Sequence, residues 1–128
     1  MATITELVLY PIKSCAGIAV PEAAVGISGL AANGVHDREW MLVTNEGSFL
    51  TQREYPRMAL VMPRIDGDAL EVSAPGMPPL RLRLAQDAAA PAIDVLIWED
   101  RVSAADCGDA AAAWFSEALQ VACRLVRF

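Results

Sequence analysis

Three side chains suited to holding an anion lie in two short polar stretches. In "YPIKSCAG" (residues 10–17) a proline ends an apolar run, and a lysine, a serine and a cysteine follow together. Lys13 is the only lysine of the chain; the other nine cationic residues are arginines. A turn made of these residues aims backbone N–H groups, an ammonium and a hydroxyl at one point, the equipment for a phosphate oxygen. Lysine serves there as a compact point charge on a flexible stem. The same letters also describe an ordinary polar bend between two strands, because a short motif without context is only a hypothesis. The second stretch is "HDREW" (36–40). Arg38 offers a planar, bidentate grip on phosphate or on the carbonyl edge of a heterocycle. The plain alternative is an Asp37–Arg38 pair at the start of a strand. Arg53 and Arg57, which flank "EYP", read as a solvated loop.

Cys15 lies two residues from Lys13, and a neighbouring cation lowers a thiol pKa. A Cys–His nucleophile needs a base, His36 is the only histidine, and nothing in the spacing sets it against Cys15. Cys15 therefore reads as a small buried residue, and Cys107 and Cys123 as core packing. The three cysteines match no zinc spacing. There is no H-E-x-x-H, EF-hand loop or Walker lysine. In "DCGD" (106–109) a helix-capping role is sufficient explanation.

The elements that must position these residues follow from pattern. At 128 residues and 55% hydrophobic content the chain is one domain with a real core. Strands are expected over 3–10, 18–27, 39–44, 48–53, 59–65, 69–74, 80–84, 93–98 and 101–105. Turns are expected at Asn33-Gly34, "NEG" (45–47) and "DGD" (66–68). "LRLRL" alternates strictly, so Leu80, Leu82 and Leu84 face in and Arg81 and Arg83 face out. One helix is expected over 110–119, with Asp106 as N-cap and Asp109 in the first turn, its apolar stripe running through Ala111, Trp114, Phe115, Ala118 and Leu119. The closing "VACRLVRF" reads as a last strand. The fold class is mainly β (α+β): a small β-barrel of short, mostly antiparallel strands with one C-terminal α-helix.

Charge narrows the partners. The net charge is −6. Residues 1–64 hold five cations against six acids, and residues 65–128 hold five against ten. A nucleic-acid partner needs a basic face, so none is expected, whereas a local anion site in the first half is compatible with this distribution. No apolar run approaches the ~20 residues of a membrane span, and "MATITELVLY" lacks the pattern of a signal peptide. The expected setting is cytoplasmic, with reduced thiols and no membrane partner.

Taken in order, "LVLYPIKSCAGIAV", "GL" at 29–30, "HDREWMLVTNEGSFLTQREYPRMALV" and "DCGDAAAAWFSEAL…CRLVRF" resemble the N-terminal β-barrel domain that precedes the MOSC domain. That domain pair occurs in the C-terminal part of molybdenum cofactor sulfurases, in the mitochondrial amidoxime-reducing component and in bacterial relatives. The resemblance covers nearly all 128 residues. It implies a share in binding the molybdenum cofactor (molybdopterin), an anionic pterin dithiolene with a phosphate and a molybdenum centre, in an oxidoreductase or sulfur-carrier system. Carried over residue by residue, Lys13, Ser14 and Arg38 reach the cofactor. Arg53, in "LTQR", falls at a motif position with no contact assigned. In the family the cysteine that ligates molybdenum belongs to the MOSC domain downstream of "RLVRF", and none of the three cysteines here matches it.

The resemblance thus implies a single domain over residues 1–128, with the following MOSC domain absent, no catalytic residue and no metal ligand of its own. It implies the cofactor only together with a MOSC domain, either supplied by another chain in trans or lost from this one. Two other readings stay beside it: a non-catalytic module for a small anionic ligand or a partner chain, and a folded remnant of a truncated gene.

Overall fold

The computed structural model describes residues 7–20, 24–26, 29–32, 35–85, 90–97 and 99–128. Strand β1 (Leu7–Leu9) pairs antiparallel with β2 (Ile18–Val20), Leu9 opposite Ile18. Gly17 stands at the entry to β2. A Cβ there would lie 2.5 Å from Cγ1 of Val8 and 2.9 Å from the Tyr10 ring, so glycine lets these two side chains lie over the backbone. The strand expected over 18–27 is two strands in two sheets. Its second part, β3 (Ala24–Gly26), pairs with β4 (Gly29–Ala32), which pairs with β5 (Val35–His36). The turn expected at Asn33-Gly34 lies outside the described residues, as does the start of the strand expected over 3–10.

Strand β6 (Trp40–Val43) is buried at all four positions. A strand covered on both faces reads as a continuous apolar run, and "WMLV" is one. The two-residue period sends Trp40 and Leu42 into the larger core, and Met41 and Val43 into a smaller one with Val95, Ala104 and Val126. After the turn at 45–47 the chain returns only briefly: Leu50 N–H donates to Leu42 O at 2.9 Å, and residues 52–54 already form the next turn. Pro56–Leu60 is a 3-10 helix with its proline in the first turn, where the missing N–H costs nothing. It takes residues 59 and 60 from the strand expected there.

Strands β7 (Met62–Asp66), β8 (Ala69–Ser73) and β9 (Leu80–Arg83) form an antiparallel meander, with Gly67-Asp68 as its first turn. Leu82 is buried, Leu80 and Leu84 are partly buried, and Arg81 and Arg83 are exposed, following the expected alternation. β10 (Ala92–Ile97) pairs with β11 (Asp100–Asp106), and β11 with β12 (Arg124–Arg127). β12 pairs in turn with β6, Leu125 opposite Leu42. β12 is therefore interior to its sheet.

Helix α1 (Asp109–Leu119) packs on β12 through the expected stripe, and Trp114 and Phe115 meet edge to face at 4.9 Å. Its N-cap is Gly108 rather than Asp106. Asp106 ends β11, and its carboxylate accepts the Gly108 N–H at 3.0 Å and the Arg124 guanidinium. That ion pair outcompetes a capping role. The expected class holds: short, mostly antiparallel strands with a single α-helix among the described residues. The described strands form four open sheets. Among the described residues, single bridges of Val43 with Phe49 and Ser48 with Leu96 carry the β6 side across to β10. No helix among them is long and apolar enough to cross a membrane.

Candidate functional site

The two polar stretches become two tight turns held side by side. Cys15 N–H donates to Ile12 O at 3.1 Å, closing a four-residue turn with Ser14 in its third position. Glu39 N–H donates to His36 O at 3.3 Å, closing a second turn with Arg38 in its third position. Both third-position residues are left-handed, with φ of 69° at Ser14 and 52° at Arg38. Glycine is the usual occupant of that region, and an ordinary L-residue there stores about 1–3 kcal/mol, a strain that clusters at ligand sites. Gln120, beyond the end of α1, is the third such residue among those described, and there the conformation simply ends a helix.

Main-chain bonds fasten one turn to the other. Arg38 N–H donates to Tyr10 O at 2.5 Å, Trp40 N–H to Pro11 O at 2.9 Å, and Lys13 N–H to Trp40 O at 2.9 Å. Residues 10–13 thus run parallel to 38–40, with Ile12 bridged to Trp40. Asp37 adds a side-chain tie by accepting the Tyr10 N–H at 2.8 Å. The backbones that carry Lys13, Ser14 and Arg38, separated by 24 positions or more between stretches, are therefore held side by side.

Aromatic rings steer the two cations. The Lys13 ammonium lies over the Phe49 ring, 4.5 Å from its centroid, and the Arg38 guanidinium over Tyr10 at 5.5 Å. Arg38 is also paired with the Asp37 carboxylate, yet its side chain keeps 58% of its surface exposed. A bidentate anion has access to it. Arg53 and Arg57 are exposed on the neighbouring segment, as the solvated-loop reading expects.

Several contributors carried no signal in the sequence. Gln52 Nε2 donates to Ser14 O at 3.0 Å across 38 positions. Glu39, 7% exposed, accepts the His36 N–H at 2.9 Å inside the Arg38 turn and the Arg127 Nε–H at 2.5 Å across 88 positions. Arg127 also donates to Leu84 O at 2.8 Å and lies over Trp40 at 4.7 Å. Hydrogen bonds between residues so far apart in sequence leave no periodic or spacing trace.

The thiols are not part of this surface. Cys15 is 2% exposed, and burial, with Cys123 nearby, pushes its pKa up to about 12. Burial also pushes the Cys107 thiol up to about 11 and raises that of Cys123. Neutral, packed thiols are poor nucleophiles and poor metal ligands, and His36 is exposed while Cys15 is buried. Among the described residues no group of three or more His, Cys, Asp or Glu could hold a metal ion. A cavity of about 680 Å³ beside the Trp40 ring is lined by Asp106, Cys107, Arg127 and Phe128, among others. Two of its charged groups are engaged, Asp106 with Arg124 and Arg127 with Glu39.

A strand-rich domain presenting a cationic pair of turns has a counterpart among known families. The chain belongs to the family of the MOSC N-terminal beta barrel domain, whose description matches residues 1–122. It is 36% identical over 129 aligned positions to mitochondrial amidoxime reducing component 2 of Rattus norvegicus, covering all of this chain and 38% of that protein. It is 36% identical over 127 positions to molybdenum cofactor sulfurase of Homo sapiens, covering 97% of this chain and 14% of that protein. The solution structure of a protein from Bordetella bronchiseptica matches with a TM-score of 0.63 and 31% identity over 69% of each chain. The chain thus spans well under half the length of the two curated relatives.

Proposed function

We propose that this chain supplies the pterin and phosphate side of a molybdenum-cofactor site that a MOSC domain completes. The observation that supports the reading is that the turns carrying Lys13, Ser14 and Arg38 are hydrogen-bonded side by side, with Ser14 and Arg38 in strained conformations. An ammonium, a hydroxyl and an exposed guanidinium suit an anionic, phosphate-bearing ligand. The donor set does not suit the metal, because all three thiols have raised pKa values. The group would bring redox or sulfur-transfer chemistry at molybdenum. This chain would bind and orient it and would not catalyse alone. The setting we propose is cytoplasmic, without nucleic-acid or membrane partners, although the name of one relative places that protein in mitochondria.

The test is to purify the chain with and without a MOSC-domain chain and assay bound molybdenum and pterin. Retention is expected to rise on mixing and to fall at least roughly tenfold with Lys13→Ala and Arg38→Ala together, since two charge-assisted contacts are lost. Unchanged retention in the double variant would sink the assignment. A simpler small-anion module gives phosphate-induced shifts at residues 12–15 and 38 with no gain from the MOSC chain.

A further inference from the structure

Gln52 lies in the "LTQR" stretch with no role assigned to it, yet its side chain reaches the Ser14 turn. The peptide unit joining Ser14 to Cys15 is held at both edges. Its N–H donates to Ile12 O at 3.1 Å, and its carbonyl accepts Gln52 Nε2 at 3.0 Å. The first bond closes the turn, and the second fixes which way the peptide plane faces. One residue further, Ala16 N–H donates to Val61 O at 2.9 Å. The segment 52–61 is therefore strapped along 14–16 at two points, one made by a side chain and one by the main chain.

A left-handed serine is a high-energy conformer that the surroundings must over-determine. A serine released from that restraint returns to the α or β region, which turns its hydroxyl and swings the Lys13 stem. In the Arg38 turn the peptide before the left-handed residue is held by the main chain, since Arg38 N–H is bound to Tyr10 O. In the Ser14 turn the restraint comes from a glutamine side chain that a single substitution removes.

We propose that Gln52 is a positioning residue for the anion site, holding the Ser14 turn in its ligand-ready conformation without touching the ligand. The inference rests on the anion-site reading above. Gln52 is neutral, so its contribution is geometric, and the number of cations facing the anion stays the same when it is removed.

The experiment titrates inorganic phosphate into the full chain and follows the backbone amides of residues 12–15 and 38 by NMR. Wild type is compared with Gln52→Met, which keeps length and removes the donor, and with Gln52→Ala. Both variants are expected to weaken phosphate binding about fivefold, the worth of one net hydrogen bond. The Ser14 three-bond HN–Hα coupling should change, and the steepness of the salt dependence should stay at the wild-type value. Wild-type affinity in Gln52→Met overturns the positioning role while leaving the anion site standing. A lowered melting temperature with unchanged phosphate affinity also overturns it, by showing a purely structural bond. Absence of any phosphate shift in wild type removes the anion-site reading itself, and this inference with it.

Discussion

At the scale of single residues, two left-handed side chains couple stability to binding in opposite directions. Glycine at 14 or 38 relieves about 1–2 kcal/mol of backbone strain, and loses part of that through a freer unfolded chain. Ser14→Gly and Arg38→Gly should therefore each raise unfolding free energy by about 0.5 kcal/mol in urea titrations, while weakening anion binding. A loss of stability in both variants would mean that the turns are not strained. The thiols give a second prediction. Their folded pKa values lie above the ordinary value of 9.0, so above pH 9 the unfolded chain sheds protons that the folded chain keeps. Stability is then fully present below pH 9 and declines as pH rises toward 12. The slope is at most about 1.4 kcal/mol per pH unit for Cys15, and Cys15→Ala should flatten it in alkaline melts. These residues were legible only by type. Lys13, Ser14 and Arg38 stand out as anion-seeking chemistry, and the packing role of Cys15 follows from its lack of a base. The pairing of their two turns depends on main-chain bonds between residues 10–13 and 38–40, which no local pattern announces.

At the scale of elements, the join between β6 and β10 depends on the turn between them and the strand return. Leu96 N–H donates to Gly47 O at 2.8 Å, and Gly47 has φ of 86°. A Cβ at 47 would stand 2.9 Å from the Asp94 carbonyl oxygen, a backbone atom that cannot move aside cheaply. Gly47→Ala should destabilise the fold by about 2 kcal/mol through combined strain and overlap, measurable as a lower urea midpoint. It should also disturb Lys13, because the Phe49 ring beneath the ammonium lies two residues on. The turn itself is written in the sequence, as "NEG", and so are the alternation of β9 and the stripe of α1. What local pattern misses is where ladders stop. The expected strand over 48–53 survives only as bridges, because Gln52 and its neighbours are drawn into the turn beside Ser14. Asp106 looks like a helix cap by position, and an arginine 18 residues away claims its carboxylate instead.

At the scale of the whole molecule, one buried ion pair links the Arg38 turn to strand β12. The Glu39 and Arg127 side chains are 7% and 11% exposed. Removing one partner of such a pair strands the other charge and costs about 3–5 kcal/mol, far more than an exposed pair contributes. Glu39→Ala should therefore lose about 3 kcal/mol of stability, and Glu39→Ala with Arg127→Met together should recover part of it. A double variant no better than the single would show that no stranded charge is involved. The same long connection has a consequence for how the protein is made. The apolar strand β6 is synthesised by residue 43, while its ladder partner β12 follows roughly 80 residues later. At synthesis rates of about 5–20 residues per second, "WMLV" waits on the order of ten seconds without its neighbour. Slow codons placed before residue 124 would lengthen the interval in which this apolar strand lacks its neighbour.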